Sequence, residues 1–208
     1  MLAFAFATAR VTLCAGLQVL DLAHTLLRSD LPAAAPPWSQ LRVLRLRDTQ
    51  LRGAIPPWVV QLPALEVLDI GLNLFSGALP AFPTAPAVMS LTAIAVDRAG
   101  LSGPLPDGWN APRLEVMELS FNNFSGPLFS STLCARAPSL RRLVAPGNTL
   151  SGQWGFLLET CANVRSRVAV LCRYFTCLSP RSTSLPRAVL VWLLGCVSDC
   201  SLSLRFLL

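Results

Sequence analysis

Lysine is absent from this 208-residue chain, and histidine and tyrosine occur only once each. All 17 basic residues are therefore arginine, against 11 acidic residues, and charged residues make up 13% of the chain. Residues 1–154 are close to charge balance. Because no basic stripe crosses this part of the sequence, nucleic acid is not expected as a partner. The arginine bias indicates either bidentate anion recognition or, as we favour, biased codon usage.

Residues that enzymes use for proton transfer and nucleophilic attack are scarce. The only histidine, His24, has no nucleophile at a recognisable spacing. Glu115 and Glu118 lie three residues apart, but an open sheet surface would not desolvate them enough to give them separate acid and base roles. The glycines recur with a long period instead of forming a phosphate-binding loop. The sequence therefore predicts no enzymatic activity and no cofactor.

A full membrane-spanning run is also missing. Ala188–Val197 is an apolar stretch of 10 residues, whereas a bilayer span needs about 20. Residues 1–9 are apolar and end in Ala-Thr-Ala, but they lack the basic start of a signal peptide. We interpret 1–13 as a truncated signal or cap. We interpret 156–208 as a tail that is a cap, an anchor or disordered, with weak support for membrane anchoring.

What the chain does contain is a unit of about 24 residues that occurs six times. Each unit starts at an anchor leucine, and further apolar residues follow three and five positions later. The anchors are Leu17, Leu41, Leu65, Leu91, Leu114 and Leu140. The alternation predicts a short strand. Because one unit cannot bury its own apolar face, the units are expected to stack into a solenoid with a parallel sheet.

Two further columns of residues recur, the first in all six units and the second in the last five, with Ser29 in its place in the first unit. The first is polar and consists of Thr25, Thr49, Asn73, Ala99, Asn122 and Asn148. An inward asparagine can donate to and accept from exposed turn backbone, so Ala99 is expected to mark the least well satisfied turn. The second column is glycine, which suits a tight change of direction. It consists of Gly53, Gly77, Gly103, Gly126 and Gly152.

The combined pattern LxxLxLxxNxLSGxLP, best seen from Leu65 to Pro80, resembles the plant-type leucine-rich repeat of receptor-kinase ectodomains and polygalacturonase inhibitors. Trp58, Trp109 and Thr49 are also similar to features of kinetoplastid surface-antigen repeats. The resemblance covers residues 14–155. It implies a curved right-handed coil of six repeats, with a parallel sheet on the concave face and an irregular or 3₁₀ convex side. It also implies an extracellular or cell-surface location.

Five of the seven cysteines lie at or beyond Cys161. Extracellular repeats of the resembled type often end in a disulfide cap, but spacing does not assign the pairing. A zinc site is the alternative for the group Cys172, Cys177, Cys196 and Cys200. Without CxxC spacing or a nearby histidine, we expect no metal. Cys14 aligns with Trp38 and Leu62 of later repeats, which predicts a core position for it.

Side chains that alternate with the core leucines are predicted to face outward on the concave side. From these columns we take six candidate ligand-binding residues: Arg45, Arg47, Asp69, Leu72, Glu118 and Phe121. Two interpretations stay open for the charged residues. They form a mixed-charge recognition surface, or opposite charges on neighbouring strands neutralise one another, as Arg42 and Glu66 would. Exposed Leu72 and Phe121 favour binding, because apolar residues on an open sheet are otherwise a liability.

The sequence therefore predicts a monomeric, non-catalytic binding module that recognises a protein, a peptide or a surface glycan through its concave face. One alternative is a structural or adhesive cell-surface repeat protein. Another is a fragment of a receptor-like kinase ectodomain. Asn123-Phe124-Ser125 forms an acceptor sequon for N-glycosylation, which is weak additional support for secretion.

Overall fold

The structure is a computed structural model that describes residues 14–82, 90–106, 110–127, 137–151 and 167–169. All of these residues belong to one compact unit, residues 1–173. Within it the chain forms a coil, and every turn adds one three-residue strand to a single parallel sheet. The stacked repeats expected from the leucine pattern are confirmed.

The main sheet has seven strands, and they follow one another in chain order. The strands are β1 (Val19–Asp21), β2 (Val43–Arg45), β4 (Val67–Asp69), β6 (Ala93–Ala95), β8 (Val116–Glu118), β10 (Arg142–Val144) and β12 (Arg167–Ala169). Neighbouring repeats pair in register, so that Leu44 lies beside both Leu20 and Leu68. The first six strands are the predicted ones. The seventh, β12, lies beyond residue 155, where the repeat pattern of the sequence had ended.

The core lies under this sheet and is built from the predicted apolar columns. The middle residue of each of the first six strands is at most 7% exposed. These residues are Leu20, Leu44, Leu68, Ile94, Met117 and Leu143. Trp38 and Trp58 meet edge to face with ring centroids 5.7 Å apart, and the Trp58 indole Nε1 donates to the Pro32 carbonyl at 2.8 Å. Aromatic contacts thus help to join the first two turns.

A second row of short parallel strands follows the polar column, a feature that the sequence did not predict. The pairs are β3 (Arg52–Ala54) with β5 (Leu74–Ser76), and β7 (Ser102–Pro104) with β9 (Asn123–Pro127), which also pairs with β11 (Thr149–Ser151). Gly53, Gly77, Gly103 and Gly126 lie within or next to these strands with φ between 73° and 82°. Their positive φ explains why this column is glycine.

One helical turn, α1 (Trp58–Gln61), begins directly after Pro56-Pro57. Proline is tolerated there because the first residues of a helix have no intrahelical acceptor for their amides. Within the described ranges, no helix is long and apolar enough to cross a bilayer.

The polar column forms a hydrogen-bonded ladder through the core. Asn122 Nδ2 donates to the carbonyls of Val96, Leu119 and Ser120, at 2.7 to 3.3 Å. Its Oδ1 accepts from the amides of Ala99 and Leu101 at 3.0 and 3.1 Å. The amide of the turn at Ala99 is therefore satisfied by the next repeat, although the alanine side chain adds no bond of its own.

Cys14 is exposed, so its predicted core position was wrong. Trp38, its counterpart in the next repeat, is buried against Trp58 of the following turn. Position in the repeat alone therefore did not decide burial. The other six cysteines, including the four of the alternative zinc site, lie outside the described residues, as do the expected disulfide cap and Ala188–Val197.

Candidate functional site

The outward face of the main sheet is lined by an apolar column that sequence reasoning missed. It consists of the first residue of each strand: Val19, Val43, Val67, Ala93 and Val116, with Arg142 in the sixth repeat. Val19 is 54% exposed and the next four are partly exposed. Strand residues at positions one and three share one face. The period-2 rule could therefore have found this column, which lies directly beside Arg45, Asp69 and Glu118.

The charges on this concave face are matched across neighbouring strands. Arg45 pairs with Asp21 at 3.3 Å, and Arg142 with Glu118 at 2.9 Å. Arg42 makes a two-point contact with Glu66, from Nε to Oε1 at 2.9 Å and from Nη2 to Oε2 at 3.0 Å. Exposed pairs of this kind contribute roughly 0–1 kcal/mol each. Their main consequence is that the face carries few unneutralised charges.

Arg47 forms the most enclosed of these contacts. Its Nη1 and Nη2 each donate to one oxygen of Asp97 at 2.8 Å, and Nη1 also reaches Asp69 at 3.3 Å. The hydrogen bonds to Asp97 and the attraction of both carboxylates raise the pKa of Arg47, against the opposing effect of its partial burial. We call Arg47, Asp69 and Asp97 the ion triad. It ties together three consecutive repeats.

Gly71 makes the ion triad possible. A Cβ at this position would lie 2.5 Å from Arg47 Nη1 and 2.7 Å from Asp97 Oδ1. Gly71 is not among the residues with positive φ, so its role is to leave space and not to permit a special backbone conformation. The guanidinium thus passes from the second repeat over the third to the fourth.

The rim of the concave face is a column in which all six residues adopt the left-handed conformation. Their φ angles run from 49° to 70°. The residues are His24, Asp48, Leu72, Arg98, Phe121 and Gly147. This conformation costs roughly 1–2 kcal/mol for residues other than glycine, asparagine and aspartate. Only Asp48 and Gly147 are types that adopt it easily, so Leu72, Arg98 and Phe121 are held there by the fold.

Phe121 is the exposed large apolar side chain of this rim column, and it is 51% exposed. The Arg98 guanidinium carbon lies 4.6 Å from its ring centroid, a cation–π contact. A Cβ at Gly147 would lie 2.6 Å from Phe121 Cδ1, so the ring occupies the space that glycine leaves. Leu72, in contrast, is only partly exposed. Within the described ranges Arg98 makes no ion pair with a carboxylate.

The six predicted residues therefore fall into two groups on one face. Arg45, Arg47, Asp69 and Glu118 are all engaged in ion pairs with other residues of the chain. Leu72 and Phe121 lie on the rim column, separated by the repeat that carries Arg98. Exposed Leu26 and Leu74 were not foreseen, and they lie one position after the polar column.

Outside the concave face, Asn123 is exposed on β9. His24 lies 3.2 Å from Asp48 on the rim. Among the described residues no cluster of histidine, cysteine, aspartate and glutamate has the geometry to hold a metal ion.

In sequence, the chain is similar to two curated receptor-like proteins. The chain is 36% identical over 84 residues to Receptor-like protein 31 of Arabidopsis thaliana, covering 39% of this chain and 10% of that protein. It is 28% identical over 132 residues to Receptor-like protein 7 of the same plant, covering 64% of this chain and 13% of the relative. The chain thus spans about a tenth of the length of these curated relatives. No family model matches it.

Solved structures with the same coil decide the fold. A plant peptide hormone receptor, RGFR1 in complex with RGF2, superimposes with a TM-score of 0.65 at 23% identity, over 74% of this chain and 24% of the receptor. A TDR receptor superimposes with a TM-score of 0.61 at 25% identity, over 74% of this chain and 26% of the receptor. This chain has the leucine-rich repeat solenoid fold. A plant ice-binding protein also superimposes on this chain, with a TM-score of 0.54 at 29% identity. The match covers 68% of this chain and 44% of the ice-binding protein.

Proposed function

We propose that the chain is a non-catalytic, extracellular or cell-surface binding module that takes up an extended peptide or protein segment along its concave face. The curated relatives are receptor-like proteins, and a peptide hormone receptor of the same fold was solved in complex with RGF2. Fold alone does not decide function, as the ice-binding neighbour illustrates. The proposal therefore depends on the concave face itself.

The observation that carries the proposal is the pair of bulky apolar residues on the rim column. Leu72 and Phe121 have φ of 53° and 55°, where a glycine or an asparagine would cost less. Phe121 also exposes half of its surface to solvent. Strained residues that present apolar area are typical of ligand contacts. The valine column lies on the same face, on the far side of the charged residues, and adds a second apolar strip for a partner.

The charged candidates have a second role in this proposal. Arg45, Arg47, Asp69 and Glu118 are neutralised within the chain, so a partner that displaced their ion pairs would gain little. We assign them to shaping the surface between the valine column and the rim. Arg98 is the rim cation without a carboxylate partner in the described part of the chain, so it is the residue that an acidic group of the partner would contact.

A structural or adhesive role is the second candidate, and the internal charge pairing favours it, because a neutralised face suits a spacer between other modules. In that case the concave face would have no saturable ligand. A receptor-like kinase ectodomain fragment is compatible with the first proposal, since the chain covers only 10% and 13% of its curated relatives.

The test is selection of peptides from a random displayed library on the immobilised chain, followed by affinity measurement of the selected peptides. The decisive variant is Leu72→Asn combined with Phe121→Asn. We expect it to weaken binding by more than tenfold, the equivalent of ~1.4 kcal/mol. Its thermal unfolding temperature should hold or rise, because asparagine relieves the left-handed strain.

The matched control is Leu26→Gln combined with Leu74→Gln. These leucines are 59% and 55% exposed, comparable to Phe121, but they lie outside the concave face. Selected peptides should bind this control as they bind the original chain. Equal binding to the original chain and to the Leu72→Asn, Phe121→Asn variant would refute the concave-face proposal. Failure of any peptide to bind saturably would favour the spacer.

A further inference from the structure

We infer that Asn123 is an N-glycosylation site whose glycan lies beside the rim of the concave face. This rests on the extracellular location in the proposed function, but not on the concave face binding anything. The sequon Asn123-Phe124-Ser125 is the only Asn-X-Ser/Thr triplet in the chain with X other than proline. Any N-linked glycan on this chain must therefore be attached at Asn123.

The Asn123 side chain is free of hydrogen bonds within the described residues and so can be modified, unlike the side chain of the neighbouring ladder residue Asn122. Asn73, Asn122 and Asn148 each use their side-chain amides for several hydrogen bonds to the backbone of the ladder. Asn123 is exposed, and within the described residues its side chain makes no hydrogen bond, while its backbone amide donates to the Leu101 carbonyl at 2.7 Å. Phe124 is fully buried in the core. The sequon therefore presents its asparagine outward while its middle residue anchors β9.

Space for the first sugars exists on one side of Asn123. In the preceding repeat the equivalent position is Gly100, which is exposed and has φ of 79°. A Cβ there would collide with the Phe75 carbonyl oxygen, so this position has to stay small. In the following repeat the equivalent residue is Thr149, whose hydroxyl donates to the Phe124 carbonyl at 2.8 Å. Because Gly100 has no side chain, a glycan has more room over Gly100 than over Thr149.

Beyond Gly100 the next equivalent residue is Leu74, which is 55% exposed. It lies two repeats from Asn123, roughly 10 Å at ~4.8 Å per strand. The first sugars of the glycan extend over this exposed leucine and cover it. Asn123 is also only two residues from Phe121 on the rim column. The glycan thus flanks the concave face and restricts a partner to approach along the sheet instead of across this rim.

The experiment places the full chain behind a cleavable secretion leader and expresses it in secretory eukaryotic cells. We expect a single electrophoretic shift that an endoglycosidase removes. Asn123→Gln and Ser125→Ala should each abolish the shift, and Ser125→Thr should retain it, because threonine also completes the sequon.

A second variant shows that the chain has entered the secretory lumen. Leu74→Asn, made together with Asn123→Gln, places an asparagine directly before Phe75 and Ser76 and so creates a sequon at the equivalent position of the third repeat. We expect this variant to regain the shift. If it is shifted while the original chain is not, Asn123 is not a glycosylation site. Peptide binding by the unglycosylated chain from bacteria is measured separately, so failure of either proposal leaves the other intact.

Discussion

Single polar side chains decide whether the turns of this solenoid can be buried. Asn73 shows how one side chain satisfies several backbone groups. Its Oδ1 accepts from Thr49 Oγ1 and from the amides of Thr49 and Leu51, at 2.8 to 3.2 Å. Its Nδ2 donates to three carbonyls at 2.7 to 3.0 Å. Buried backbone groups need such partners, because an unsatisfied group costs about 1–3 kcal/mol. The ladder asparagines therefore replace water inside the coil.

At this scale we predict that Asn122→Ala lowers the free energy of unfolding by about 3 kcal/mol. The variant removes all five side-chain bonds of Asn122 and leaves the amides of Ala99 and Leu101 without their acceptor. Urea unfolding followed by circular dichroism measures the change. Asn123→Ala is the matched control in unglycosylated protein, and it should change stability by less than about 0.5 kcal/mol. Equal effects of the two variants would contradict the ladder.

At the scale of the repeat, long side chains connect elements that the backbone already stacks. Arg47 is the clearest case, because it extends from the second repeat to Asp97 of the fourth and contacts Asp69 of the third on the way. Its side chain is 27% exposed and that of Asp97 14%, whereas Arg45 and Asp21 are 48% and 45% exposed. The two arginines are two residues apart, yet only Arg47 lies in a partly desolvated site.

We therefore predict that Arg47→Met costs about 2 kcal/mol of stability, below the roughly 3–5 kcal/mol of a fully buried pair, because the ion triad keeps some contact with water. Arg45→Met, the matched control, should cost less than about 1 kcal/mol. Both are measured as shifts of the urea midpoint at constant slope. A loss from Arg45→Met as large as that from Arg47→Met would show that the bridging between repeats contributes nothing.

Across the whole molecule, the regular positions could be predicted and the irregular ones could not. The column that contains Leu20, Leu44 and Leu68 was found because period and burial coincide. Strand β12 was missed because Arg165-Ser-Arg167-Val-Ala169 lacks the leucines of the other repeats. The ion triad was missed because contacts between the second and fourth repeats depend on the space left by Gly71. The left-handed rim column was missed because Leu72 and Phe121 are residue types that avoid positive φ.

Stacking of like units also predicts how the molecule opens. In a solenoid each repeat contacts only its neighbours, so a repeat whose core residues are less buried opens at a lower free energy than a repeat whose core residues are fully buried. Equivalent backbone amides make this measurable, because those of Leu22, Leu46, Ile70 and Val96 all donate to the following repeat at 2.7 to 3.0 Å. Leu22 is partly buried, whereas the other three are fully buried.

Hydrogen exchange followed by NMR should therefore show Leu22 exchanging at least roughly tenfold faster than Ile70 and Val96, a difference of ~1.4 kcal/mol in opening free energy. Because the local hydrogen bond is the same in each repeat, the difference reports how well the repeat is buried and not bond geometry. The exchange rate of the Leu46 amide should lie between that of Leu22 and those of Ile70 and Val96. Uniform protection of all four amides would mean that the repeats open only together, so that the nearest-neighbour description fails for this chain.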